Sequence, residues 1–235
     1  MLLLALETGG SLCSAAVLRG RTVLAAECRA MRYGHGEALL PMIDRVVRDA
    51  GLTPRQLDCV AVSVGPGGFT GIRVGLAAAQ GIARGAGARL IGVTSFAAVA
   101  ARLAETASDA GEGGPLLVAL DSRREDFYVQ MFAGAGPPAE PRAVLPGSLA
   151  AYVEAASGGR LGPGRRLRIA GDAAERAAAA LCRFRFCEAL DGFAPDALGV
   201  AAAARRRIES DDAEGPLRPL YLRPPDVTMP RPSGA

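Results

Sequence analysis

"SVGPGGFTGIRVGLAAAQGIA" (Ser63–Ala83) reads as a strand end, a glycine-rich turn and a helix. Gly65, Gly67, Gly68 and Gly71 permit a sharp turn with exposed N–H groups, and the helix behind them presents its positive end. A loop of this shape can hold an anion. It does not match G-x-x-x-x-G-K-[ST], because the chain contains no lysine, and it is not the G-x-G-x-x-G dinucleotide pattern. The competing reading is a tight strand-to-helix connection that needs glycine only for backbone freedom.

The helix carries more information. Gly71, Gly75, Ala79 and Ala83 recur every four residues and lay a stripe of tiny side chains along one face. Such a stripe lets another helix approach closely. Ile72, Leu76 and Ile82 are left to face a sheet. The preceding helix, Gly36–Ala50, offers Leu39, Met42, Ile43, Val46 and Val47 at helical spacing, with Pro41 acceptable only in its first turn or so. The pair reads as one layer with a small, apolar outer surface suited to a protein partner. The partner-interface residues on this reading are Leu39, Met42, Ile43, Val46, Gly71, Gly75 and Ala79.

Working outward, apolar runs and turn signals predict strands at 2–6, 12–18, 22–28, 59–64 and 90–93. Helices are expected at 36–50, at 71–84 behind Thr70 as cap, and at 96–106. "SDAGEGGP" (Ser108–Pro115) breaks the periodicity. The second half then repeats the order: strands at 116–120, 127–132, 142–145, 167–170 and 184–187, and helices at 149–156, 173–181 and 196–208. Each half reads βββαβαβα. The division falls at 1–108, an N-terminal lobe with the partner-binding helices, and 109–235, a C-terminal lobe whose last helix and tail can pack back on the first. Six prolines from Pro216 onward exclude a regular helical tail.

Glu7 and Asp121 each end the first strand of a half. Two acids facing across a cleft can hold Mg–nucleotide, which makes Glu7, Thr8, Gly67, Gly68 and Asp121 the candidate phosphate-site residues. Each acid is otherwise a turn or cap residue. His35 is the sole histidine. An H-x-x-x-H metal pair would need a second at position 39, which is Leu39, so no metal site is expected. Arginines cluster at 165/166/168, 183/185 and 205–207, and read mainly as solvated surface.

The bulk numbers fit an ordinary globular chain: 235 residues, 50% apolar, 22% charged, net charge +3. The charge is too small to announce a nucleic-acid binder. Five cysteines without a C-x-x-C pair fit a reducing compartment. "MLLLALETGG" is too short an apolar run for a signal peptide or membrane span and reads as a buried first strand, so a cytoplasmic protein is expected.

"LALETGGSLCSAAVL", "HGEALLPMID", "VSVGPGGFTGIRVGLAAAQGIA", "ALDSRREDFYVQMF" and "PLYLRPPD" together resemble the TsaB (YeaZ) family, from residue 2 to about 226. The resemblance implies the duplicated fold of actin, Hsp70 and the sugar and acetate kinases. It also implies a non-catalytic assembly subunit in making threonylcarbamoyladenosine at position 37 of tRNA. In that setting the partners are TsaD, which carries the metal, and the ATPase TsaE. ATP and Mg belong to the complex, no cofactor to the isolated chain, and tRNA is met through the complex. A homodimer is open when the chain is alone. TsaD-type catalysts use H-x-x-x-H where this chain has His35 and Leu39, so the resemblance implies that the metal site is lost. The rivals are an ATP-binding enzyme of the same fold group and an inactive peptidase-like homologue.

Overall fold

Strand β1 (Leu2–Glu7) is buried on both faces, as its unbroken apolar run requires. It pairs antiparallel with β2 (Leu12–Arg19) and parallel with β4 (Cys59–Ser63). With β3 (Thr22–Ala30) and β5 (Arg89–Val93) these form a five-stranded sheet in the order β3-β2-β1-β4-β5. The computed structural model describes residues 1–106, 114–134, 136–159, 161, 166–182, 186–210 and 217–223.

Side chains alternate across this sheet with the strand period. Leu4, Leu6, Val60 and Val62 meet helices α1 (His35–Asp49) and α2 (Phe69–Ala86) on one face. Leu3, Ala5, Ala16 and Ala61 meet a different helix on the other. The second sheet comprises β6 (Leu116–Asp121), β7 (Phe127–Phe132), β8 (Arg142–Val144), β9 (Leu167–Ala170) and β10 (Cys187–Ala189). Its order, β10-β9-β6-β7-β8, is the first sheet's order strand for strand. Helices α4 (Leu149–Ser157) and α5 (Ala174–Ala180) complete the repeat. The duplicated architecture read from the sequence is the architecture observed.

The two halves exchange their last helices. Helix α3 (Ser95–Thr106) closes the first half, yet Phe96, Val99 and Leu103 pack on Leu116, Val118 and Leu120 of the second sheet. Helix α6 (Ala197–Glu209) closes the second half, yet Val200, Ala201 and Ala204 pack beneath Leu3 and Ala5 of the first. The boundary drawn at 108/109 therefore follows chain order and not packing; residues 107–113 lie outside the described residues. Where α3 and α6 cross, a Cβ on Gly199 would sit 2.6 Å from the Ala98 carbonyl oxygen. The close helix–helix approach in this molecule is here. Asp196 caps α6 by accepting the Gly199 N–H at 2.7 Å.

Several local expectations shift. Helix α2 starts two residues before Gly71, with Gly68 as its N-cap, so Thr70 lies in the first turn and caps nothing. Pro41 sits inside α1, seventh from its start, on the solvent side. Arg205 is not solvated: it is buried and pairs with Glu105 of α3 at 2.5 Å. Arg165, Arg183, Arg185 and the predicted strand start at 184 lie outside the described residues.

Two glycines separate close approach from mere flexibility. Gly199→Ala should cost roughly 1–3 kcal/mol, since the obstructing atom is helical backbone. Gly81→Ala, with nothing within 4 Å of the added carbon, should stabilise by up to about 1 kcal/mol through helix propensity. Urea unfolding of the two variants beside the parent checks both signs.

Candidate functional site

The glycine-rich loop is shaped around a piece of its own chain. The turn between β1 and β2 runs directly against it: the Gly68 N–H donates to the Gly9 carbonyl at 2.7 Å, and the Thr8 hydroxyl donates to the Gly71 carbonyl at 2.8 Å. A Cβ at Gly67 would strike the Gly9 carbonyl, one at Gly71 the Thr8 carbonyl, and one at Gly75 the Thr8 hydroxyl. The small stripe thus seats a backbone turn of the same lobe and no foreign helix. Ala79, Leu39, Met42, Ile43 and Val46 are likewise buried in that lobe's core, beside Ile72 and Leu76. None of the seven residues assigned to a partner interface is available at the surface. The apolar stripe of each helix had to cover its own sheet first.

The polar groups of the candidate phosphate-site residues are bonded to neighbouring parts of the chain. Glu7 is fully buried, and its Oε1 accepts the Gly9 N–H at 2.5 Å. Burial pushes its carboxyl above the ordinary value, and the Asp172 carboxylate adds to the effect. Asp121 Oδ1 accepts from the Arg123 N–H and from Arg176 Nη1, each at 3.0 Å. The Arg123 guanidinium lies against Gly68 and donates to the Gly10 carbonyl at 3.0 Å. Ser11 donates to Asp172 across the lobes at 3.1 Å. A phosphate between this loop and the β1–β2 turn would need the space and the donors that Gly9, Gly10 and Arg123 already occupy. These residues do not fit a magnesium–nucleotide.

The tail, expected to pack back on the first lobe, does so and closes the other side of the cleft. Residues 217–223 cross it as an extended strap. Leu220 N–H donates to the Val64 carbonyl at 2.8 Å, and Tyr221 stacks on Phe69 with centroids 5.1 Å apart. Arg73 donates to the Tyr221 hydroxyl at 3.1 Å, and Arg223 pairs with the buried Asp126 of the second lobe. Alternating Leu-Tyr-Leu between prolines was the available signal.

What remains outside is a different face of the same helices. Leu40 is 58% exposed and Tyr33 76%. Pro41, Ala77, Gln80 and Gly81 are exposed, with Val74 and Ala78 half-buried between the two helices. His35 opens α1 and is buried at its start. Among the described residues no three His, Cys, Asp or Glu side chains converge to hold a metal, and no helix is long and apolar enough to cross a membrane.

Two copies of one βββαβαβα unit clasped about a cleft define the duplicated actin-like ATPase fold. Solved structures share it. YeaZ from Pseudomonas aeruginosa superposes with a TM-score of 0.71 at 23% identity, covering 94% of this chain and 99% of that one. The ethanolamine utilization protein EutJ from Carboxydothermus hydrogenoformans gives 0.54 at 11% identity, covering 86% and 90%. A model of the family "TsaD: tRNA N6-adenosine threonylcarbamoyltransferase" matches residues 29–135. The tRNA threonylcarbamoyladenosine biosynthesis protein TsaB of Haemophilus influenzae is 37% identical over 127 residues, 54% of this chain and 51% of that protein. The match thus spans about half the length of that relative. An uncharacterized protein of Mycobacterium bovis is 30% identical over 226 residues, covering 95% of this chain and 92% of its own length. The chain belongs to the TsaB/YeaZ family.

The buried carboxyl gives a pH test. Unfolded, Glu7 releases its proton near the ordinary 4.5; folded, it holds the proton to higher pH. Between those points the folded state binds more protons, so stability falls as pH rises. Glu7→Gln should flatten that decline. The difference between parent and variant unfolding free energies, followed upward from pH 4.5, isolates Glu7 from Asp172, whose carboxyl burial also pushes up.

Proposed function

We propose that this chain is a non-catalytic subunit for tRNA threonylcarbamoyladenosine formation, and that it acts by docking on a TsaD-type catalyst. The supporting observation is a pairing of two facts. The polar groups of the glycine loop are engaged within the chain, while the outer face of α1 and α2 offers Leu40, Pro41, Ala77 and Gly81 to solvent. The stretch that resembles the TsaD family runs from the end of β3 to β7 and includes both helices. Two related proteins carrying the same helix pair can lay those pairs against each other about a pseudo-twofold axis.

On this reading the metal and the transferred group belong to the partner. His35 has no second histidine one turn on, because position 39 is Leu39, which is buried in the core. The ATP and Mg of the system serve a TsaE-type ATPase that joins the pair, tRNA is met through the assembly, and the setting is the cytoplasm. A homodimer through the same face is the form open to the chain alone.

The docking face can be broken without touching the fold. Leu40→Arg combined with Ala77→Arg places two charges on exposed positions, where stability should change by no more than about 0.5 kcal/mol. Capture of purified TsaD should fall at least about tenfold, since unpaired charge in an apolar interface costs more than 1.4 kcal/mol. Reconstituted tRNA modification should fall with it. Undiminished capture by the folded double variant would refute the docking face.

A further inference from the structure

The starts of α1 and α2 lie side by side and open on a cavity of about 380 Å³ that the docking role does not use. Its wall includes Thr8, Gly34, His35, Gly68, Thr70 and Gly71, together with Arg32 and Arg123. Neither helix start has a side-chain cap. The first-turn N–H groups of both therefore keep donors for an outside acceptor, and both positive helix ends favour negative charge there. The Arg32 guanidinium stands 5.8 Å from the centre of the Tyr33 ring and forms no ion pair among the described residues. Arg123 comes from the second lobe, where it occupies left-handed backbone at φ 61°, and it pairs with a carbonyl and not with an acid. Glu37 is the one acid on the wall, and it is exposed.

His35 supplies an independent observation. It is only 8% exposed, lines this cavity, and leaves its Nε2 without a hydrogen-bond partner. A buried polar atom without a partner is costly and asks for an explanation. Burial first, and the Arg123 charge second, hold the imidazole below its ordinary pKa, so the ring is neutral at physiological pH and can donate one hydrogen bond.

We propose that this cavity binds a phosphate group carried on a small molecule. The donors come from three separate parts of the chain: the α1 start, the α2 start and the Arg123 arm. That suits a tetrahedral group with three free oxygens better than a planar carboxylate with two. The site adjoins the contact between the glycine loop and the β1–β2 turn, sharing Thr8, Gly68 and Gly71 as wall, and lies outside the part that the Gly9 carbonyl fills. The cavity exceeds one phosphate in size, which leaves room for the carrier.

The single histidine makes the site directly readable in the full-length chain prepared without a histidine tag. Its imidazole proton and nitrogen resonances are followed by NMR during titration with inorganic phosphate, glycerol 3-phosphate and dimethyl phosphate, with chloride at matched ionic strength. Saturable His35 shifts are expected with the first two and weaker ones with the diester. A stronger response to the diester would transfer the site to a nucleic-acid backbone and overturn the monoester assignment. Arg32→Gln should weaken binding by about tenfold or more, the usual scale for one charge-assisted hydrogen bond, and Arg32→Lys should restore part of it. Arg123 also braces Gly10, so Arg32→Gln with Arg123→Gln is used only after its unfolding curve confirms the fold; it should abolish the shifts. His35 resonances that ignore phosphate, or that respond equally to chloride or in the double variant, would overturn the proposal.

Discussion

The molecule is organised by one close contact, the Thr8–Gly9 backbone lying in the glycine face of α2. Gly67, Gly71 and Gly75 are the positions where even one added carbon would collide with that turn. The contact fixes how far α2 sits from the sheet, and α1 rests beside α2, with Val74 beneath Gly36. It also decides the chemistry of the cleft. In an open arrangement, the amides of a glycine loop would be free for phosphate. Here the turn takes the Gly68 N–H and the Thr8 hydroxyl bonds back to Gly71.

The cleft is then sealed from two more sides. Arg123 and Asp172 of the second lobe grip Gly10 and Ser11, and the strap at 217–223 stacks Tyr221 on Phe69. Together with the exchange of α3 and α6, these contacts make the two lobes one interlocked body. The fold of an ATPase is retained with its central loop closed by the chain's own groups. Large apolar side chains remain uncovered at several places on the surface, among them Leu40 on α1, Phe69 at the start of α2 and Leu145 after β8.

Much of this was legible in the residues. The apolar runs around tight turns marked the hairpins β1–β2 and β6–β7, and the 3.6-period stripes marked α1 and α2, because local sterics and burial act within a few residues. The repeated βββαβαβα order followed from them. What the pattern could not carry was the identity of the surface each face meets. A stripe of glycine and alanine says that something approaches closely; it does not say whether the intruder is a helix or a turn 63 residues away, as Thr8 is from Gly71. The residues assigned to the interface are accordingly core residues of their own lobe, and the docking face proposed above lies one residue outward, at Leu40 instead of Leu39. The return of α6 to the first lobe was expected; the docking of α3 on the second sheet was not, since an apolar helix face fits either sheet. The tail was expected on the first lobe, but its individual contacts were not placed, because a segment between prolines has no period of its own. The buried Arg205 escaped because its partner, Glu105, lies 100 residues away.

The most direct measurement is the urea unfolding of the isolated chain carrying Gly71→Ala, with capture of TsaD measured on the same preparation. If the glycine face seats the β1–β2 turn, the isolated variant loses about 1–3 kcal/mol of stability, with no partner present. A variant as stable as the parent that nonetheless fails to capture TsaD would contradict the account, because the glycine face would then belong to the partner.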